Sequence, residues 1–283
     1  MMTSRKLYSL LPALLITLGA MPLSAGEAFR VCADPLHPPY SMKDGSGFEN
    51  QIAALFAKTL GQPLEYTWFP DRIGFIRNTL KAQKPKSEEY LCDVVIGVPA
   101  EFDQVLTTRP YYHSTYVLVI ALGRGWDDIT TPAQLASVSN ERRNRLKIAM
   151  FDRGPGTAWL KQNNLLDIAI PYQSISGDHE RNTTLTIAHD LAEGKIDMII
   201  LWGPMAGYLV THHPDRYRVL PMPSTPGMKF DFSIAMGVRH GDAARKAQLE
   251  QLIEQKQGEI NAILQAHHVP LLPIPARVVR DDD

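Results

Sequence analysis

Two arginines beside an aromatic run are the first residues here with chemistry to offer: Trp68-Phe69-Pro70-Asp71-Arg72-Ile73-Gly74-Phe75-Ile76-Arg77-Asn78-Thr79-Leu80. A guanidinium presents a planar fork of N–H donors to a carboxylate, and an indole presents a flat face for stacking. The competing reading of Trp68, Arg72 and Arg77 is a core aromatic with two solvated helix charges. A second candidate is Asp152-Arg153-Gly154-Pro155-Gly156-Thr157, ahead of a helix starting near Ala158. Free amides at a helix start attract anions, and glycines let a ligand come close. This stretch lacks the Gly-Lys-Ser/Thr ending of a nucleotide P-loop, so a plain strand-to-helix turn is the alternative. Tyr40, Arg109, Tyr111 and Trp202 complete the candidate ligand set, although Arg109 beside Pro110 is equally readable as a structural arginine.

No catalytic constellation competes with this binding chemistry. The chain has no Gly-x-Ser-x-Gly elbow, no His-Glu-x-x-His and no Cys-x-x-Cys. His212-His213 and His267-His268 are adjacent pairs whose side chains diverge on a helix, which favours surface histidines over metal ligands. An enzyme is not expected.

The elements that must position these residues read as alternating strands and helices. Phe29 to Ala33 is a buried strand, and Phe48, Ile52, Leu55, Phe56 and Leu60 recur at helical spacing until Gly61. Leu64, Tyr66 and Trp68 alternate as a strand, a helix is expected from Asp71 to about Ala82 with Ile73, Ile76 and Leu80 on one side, and Asp93 to Val98 is a third strand. This β-α-β-α-β order is the pattern of a mostly parallel sheet. Tyr116 to Ile120 is a further strand, and its exit at Gly123-Arg124-Gly125 is read as the first crossing to a second lobe. Strands are expected again at Lys147 to Phe151, Asp197 to Trp202 and Phe230 to Val238, the last returning to the first lobe before a terminal helix from about Asp242 to His267.

The first 25 residues have a basic start, an apolar run from Leu7 to about Leu23 and a small-residue end, the three parts of a secretory signal. Removing them takes away Arg5 and Lys6 and no acid, so the formal charge moves from -1 to -3. No later apolar run approaches the ~20 residues of a membrane helix. Interspersed charges and no basic stripe argue against nucleic acid. An oxidising compartment permits Cys32 and Cys92, the only cysteines, to pair across adjacent strands; two buried thiols are the alternative.

In this order the motifs become familiar. Arg-Val-Cys-Ala-Asp-Pro, Pro-Pro-Tyr-Ser, Gly-Phe-Glu-Asn, Cys-Asp-Val-Val-Ile-Gly-Val and Arg-Pro-Tyr-Tyr together resemble the type II periplasmic solute-binding proteins over the whole mature chain. Glu-Tyr-Thr-Trp-Phe-Pro, Gly-Phe-Ile-Arg-Asn-Thr-Leu and Trp-Gly-Pro-Met-Ala-Gly-Tyr narrow the likeness to the quinoprotein dehydrogenase-associated, MxaJ/XoxJ-like branch. The resemblance implies an α/β protein of two lobes with two chain crossings, a monomer, with residues 26–121 and 229–283 in lobe 1 and 122–228 in lobe 2. It implies a periplasmic accessory of a dehydrogenase using pyrroloquinoline quinone (PQQ), partnered by that alcohol dehydrogenase, its cytochrome c, or both. No cofactor is required on this reading, and the quinone is a candidate bound ligand, its carboxylates taken by Arg72, Arg77 or Arg109. The alternative is a receptor that delivers a small anion to an ABC permease. The chain departs from the amino-acid-binding members at Pro99-Ala100-Glu101-Phe102-Asp103, where an acid stands near the place of their ligand-holding arginine.

Overall fold

In the computed structural model, residues 27–174 and 182–276 are described. The expected signal at residues 1–25 and the acidic tail Asp281 to Asp283 lie outside them. Strand Phe29–Ala33 runs parallel to Leu64–Trp68 on one side and to Val94–Pro99 on the other. Parallel neighbours need a crossover, and helix Phe48–Leu60 supplies one, burying Phe48, Ile52, Ala53 and Phe56. Gly61 ends it in the left-handed conformation at φ 64°, where a Cβ would be costly. The adjacency of the first and third strands brings Cys32 and Cys92 to a Cα–Cα distance of 5.4 Å, and they form a disulfide.

The expected helix from Asp71 shrinks to Phe75–Asn78. Gly74 stands at φ 91° just before it, so the backbone cannot wind helically through Asp71-Arg72-Ile73. Ile76 and Leu80 still bury as the spacing predicted, but Ile73 swings out and is 85% exposed.

Strand Tyr112–Ala121 carries the chain between the lobes. Its residues Tyr112 to Thr115 pair with strand Asp231–Val238, whereas Tyr116 to Ala121 pair with Met198–Trp202 and Tyr217–Pro221. The crossing therefore takes place inside this strand, upstream of the expected glycine exit at 123–125. Residues Met222 to Phe230 make the return, with the Met222 N–H donating to the Tyr116 carbonyl at 2.9 Å and the Tyr116 N–H to the Phe230 carbonyl at 2.8 Å.

Each lobe has its own apolar centre. In the first, Phe29, Phe56, Ile96 and Met236 pack with Leu249, Ile253, Ile260 and Leu264 of the terminal helix Ala243–Ala266. In the second, Leu118 and Ile120 bury on one face of the sheet while Val117 and Val119 bury on the other. Helices on both faces explain why these strands read as unbroken apolar runs.

Candidate functional site

Between the lobes, and running along the first of them, lie three joined hollows. The outer one, of about 260 Å³, has Asp34, His37, Asp71 and Arg72 on the first-lobe side and Arg153, Asn182 and Trp202 on the second-lobe side. The floor hollow, about 120 Å³, is bounded by Tyr40, Glu49, Asp71, Gly97, Tyr112 and Trp202. The third, about 470 Å³, continues over the first lobe past Ile73, Phe75, Val98 and Phe102. His37 and Asp71 border all three.

The turn chemistry that builds the outer wall is explicit. The Asp34 carboxylate accepts from the backbone N–H of Leu36 at 2.7 Å and from that of Asp71 at 2.6 Å, so one side chain ties together the two loops that border the cleft. His37 Nδ1 stands 3.6 Å from the Asp71 carboxylate. Across the gap, Asn182 accepts from Thr184 and Leu185 amides as the N-cap of helix Thr183–Ala192 while its Nδ2 donates to the Leu36 carbonyl at 3.1 Å. The same amide thus starts a second-lobe helix and bridges the lobes.

Glu49 is the distinctive group of the floor. It lies one turn before Ile52 and Ala53 and two before Phe56, in line with the buried stripe of its helix and itself half-buried. Its Oε1 would stand 2.0 Å from a Cβ on residue 97, so glycine there makes the space it occupies. No hydrogen-bond donor among the described residues reaches its carboxyl. Burial away from water pushes its pKa up to about 8, and the nearby Asp71 charge adds to the rise. Asp71 is itself raised, first by loss of water and then by Asp34, with His37 acting against both. Burial likewise lifts the Tyr40 and Tyr112 hydroxyls well above their ordinary value.

Of the residues expected from sequence, Tyr40, Arg72, Arg153 and Trp202 border these hollows. Trp202 is held tilted against Tyr116 and Phe232, and the Arg72 guanidinium lies 5.7 Å above the Phe69 ring. The others are placed elsewhere. Trp68 ends an edge strand and stacks on Tyr66 at 4.5 Å, packed on the first-lobe core. Arg77 is exposed on the short helix, outside the hollows. Arg109 is a structural arginine, donating to the Glu250 carbonyl and the Glu254 carboxylate of the terminal helix, each at 2.7 Å. Tyr111 is wholly buried in the core. Gly156 exists for packing, since a Cβ there would come within 2.9 Å of Ile200. Thr157 Oγ1 donates to the Phe151 carbonyl at 2.7 Å, and Asp152 is occupied by the Ser174 amide and hydroxyl. The sequence reading missed Asp34, His37, Glu49 and Asn182. Glu49 had a signal, an acid at positions i, i+3, i+4, i+7 with Ile52, Ala53 and Phe56.

The arginines expected to take a polyanion are divided: Arg72 borders the outer hollow, while Arg77 and Arg109 border none of the three. Among the described residues no lysine or arginine borders the floor hollow, while three carboxyls, those of Asp34, Glu49 and Asp71, do. A Ser–His–Asp row exists, with His113 2.9 Å from Ser233 Oγ and 2.8 Å from Asp231 Oδ2, but His113 is 4% exposed and these three residues border none of the hollows. They clamp the crossing strand to its return partner. Among the described residues no three His, Cys, Asp or Glu side chains are grouped to hold a metal ion, and no helix is long and apolar enough to cross a membrane.

No family model matches the chain. It is 33% identical over 260 residues to the protein MoxJ of Methylorubrum extorquens, covering 87% of this chain and 82% of that protein. It is 26% identical over 272 residues to MoxJ of Paracoccus denitrificans, covering 91% and 94%. Among solved structures it is similar to the periplasmic binding protein XoxJ of Methylobacterium extorquens AM1, with a TM-score of 0.68 and 31% identity over 87% of this chain and 100% of that one. The two-lobed α/β architecture is that of the type II periplasmic binding proteins.

Proposed function

Because the chain belongs to the MoxJ family, whose relatives include the periplasmic binding protein XoxJ, we propose that it is a periplasmic accessory of a PQQ-dependent methanol dehydrogenase. In this reading the interlobe cleft receives part of that enzyme or of its cytochrome c. The observation that carries it is the extent of the cavity system: the largest of the three hollows is bordered mainly by first-lobe residues, from His37 and Asp71 to Phe102 and Gln104, and takes in the 85% exposed Ile73. A receptor that closes on one small solute encloses it and buries most of its surface, whereas this groove leads away over the surface. Deleting the gene tests the role. Loss of methanol-dependent dye reduction in periplasmic extracts, persisting with excess quinone, is the expected outcome; restoration by added quinone would refute the accessory role.

One observation favours a second reading. Arg72 and Arg153 both border the outer hollow, and Asn182 bridges the lobes across it, an arrangement suited to closing on a small anion for delivery to an ABC permease. Restoration by added quinone in the same deletion strain is the result this second reading expects.

A further inference from the structure

The floor of the cleft is acidic, with Asp34, Glu49 and Asp71 on its border and no lysine or arginine among the described residues there, and that chemistry selects its occupant. Glu49 has no hydrogen-bond donor among the described residues, and His37 stands 3.6 Å from the neighbouring Asp71 carboxylate. The walls beside them are the rings of Tyr40, Tyr112 and Trp202, with Tyr112 only 2% exposed. A fully buried hydroxyl, that of Tyr111, lacks any hydrogen-bond partner and lies within electrostatic reach of Glu49 and Tyr40. A carboxyl that burial keeps protonated ionises when a cation comes to stand beside it, so Glu49 set among aromatic faces complements a positive charge, which then gains from the carboxylate and from the ring quadrupoles together. A metal ion is a poor match, because the described residues offer no three-ligand group.

The rest of the groove says what carries that charge. From the floor it continues past Phe75, Val98 and Phe102 to the outward-turned Ile73, apolar side chains for the neighbours of a charged one, with Arg72 and Gln104 also on its border. We propose that the groove holds an extended polypeptide segment whose lysine or arginine side chain enters the floor between Glu49 and Asp71, with apolar neighbours packed along Ile73 and Phe102. This rests on the accessory reading above and names the chemistry of the segment.

Overlapping twelve-residue peptides covering the methanol dehydrogenase of the same cells, and its cytochrome c, are the probes, presented to the full mature protein and to its E49Q and I73S variants. The expected result is capture of peptides containing lysine or arginine, with affinity falling at least tenfold in E49Q and lost when the basic residue is replaced by norleucine. Circular dichroism of both variants checks that they are folded. Capture of peptides without a basic residue, wild-type affinity in both E49Q and I73S, or capture of none would overturn the inference. The accessory role is decided separately by the deletion strain, so a failed groove and a failed function give different patterns.

Discussion

Replacing Glu49 by glutamine should flatten the pH dependence of folding stability between about pH 5 and 8. In the unfolded chain this carboxyl ionises near its ordinary 4.5, whereas in the folded protein burial holds its proton until about pH 8. Across that window the native state binds more protons than the unfolded state, so stability falls as pH rises. The slope is about 1.4 kcal/mol per pH unit, amounting to at most about 3 kcal/mol lost by pH 7 relative to pH 4.5. Asp71, raised in the same direction, contributes to wild type and variant alike and largely cancels from their difference. Urea denaturation at pH 5, 6, 7 and 8 reads the effect, and in thermal melts the variant should gain roughly 5–10 °C on wild type between pH 5 and pH 7. Parallel stability–pH lines for the two proteins would refute the reasoning, because an ordinary exposed glutamate has no such slope to remove.

Three other perturbations follow from the same structure. Cys32→Ser should cost about 4 kcal/mol in chemical denaturation, the closure entropy of a loop of 60 residues. Asp93→Asn leaves Arg30 and Arg239, both mostly buried, without the carboxylate that accepts from them at 2.8 and 2.7 Å, and should destabilise by about 3–5 kcal/mol. Although burial opposes it, those arginines hold the Asp93 carboxyl below its usual range, so this contribution is present at neutral pH and fades as pH falls below about 4; the variant's acid unfolding curve should be correspondingly shallower. Gly97→Val drives a side chain into the space of Glu49 and should abolish ligand or peptide capture, with tryptophan fluorescence of Trp202 unresponsive to any probe that wild type binds.

Much of the fold was legible because its signals are local. Apolar runs flanked by glycine and proline located the strands from Phe29, Leu64 and Met198, and the 3.6 period located the helices from Phe48 and Ala243. The expected helix at Asp71 failed where one backbone conformation at Gly74 outweighed a good apolar spacing. The site was less legible for a related reason. Arginines draw the eye as ligand groups, but Arg109 spends its donors on the terminal helix, a contact between residues 141 and 145 positions apart that no local pattern announces. Glu49 was overlooked in the opposite way: it sits inside a convincing helix, and only the approach of Gly97 from another strand makes it a floor.

Gly203 sets how this molecule can flex. A Cβ there would meet Pro270 Cγ at 2.4 Å and the Thr115 carbonyl oxygen at 2.5 Å, at the point where the crossing strand passes from one lobe's pairing to the other's. Any side chain here would force these segments apart, so glycine is what lets them close on one another. Motion between the lobes is restricted to bending of the connecting segments, so amides on both sides of the joint should keep their protection from hydrogen exchange while the radius of gyration in solution changes with occupancy of the groove.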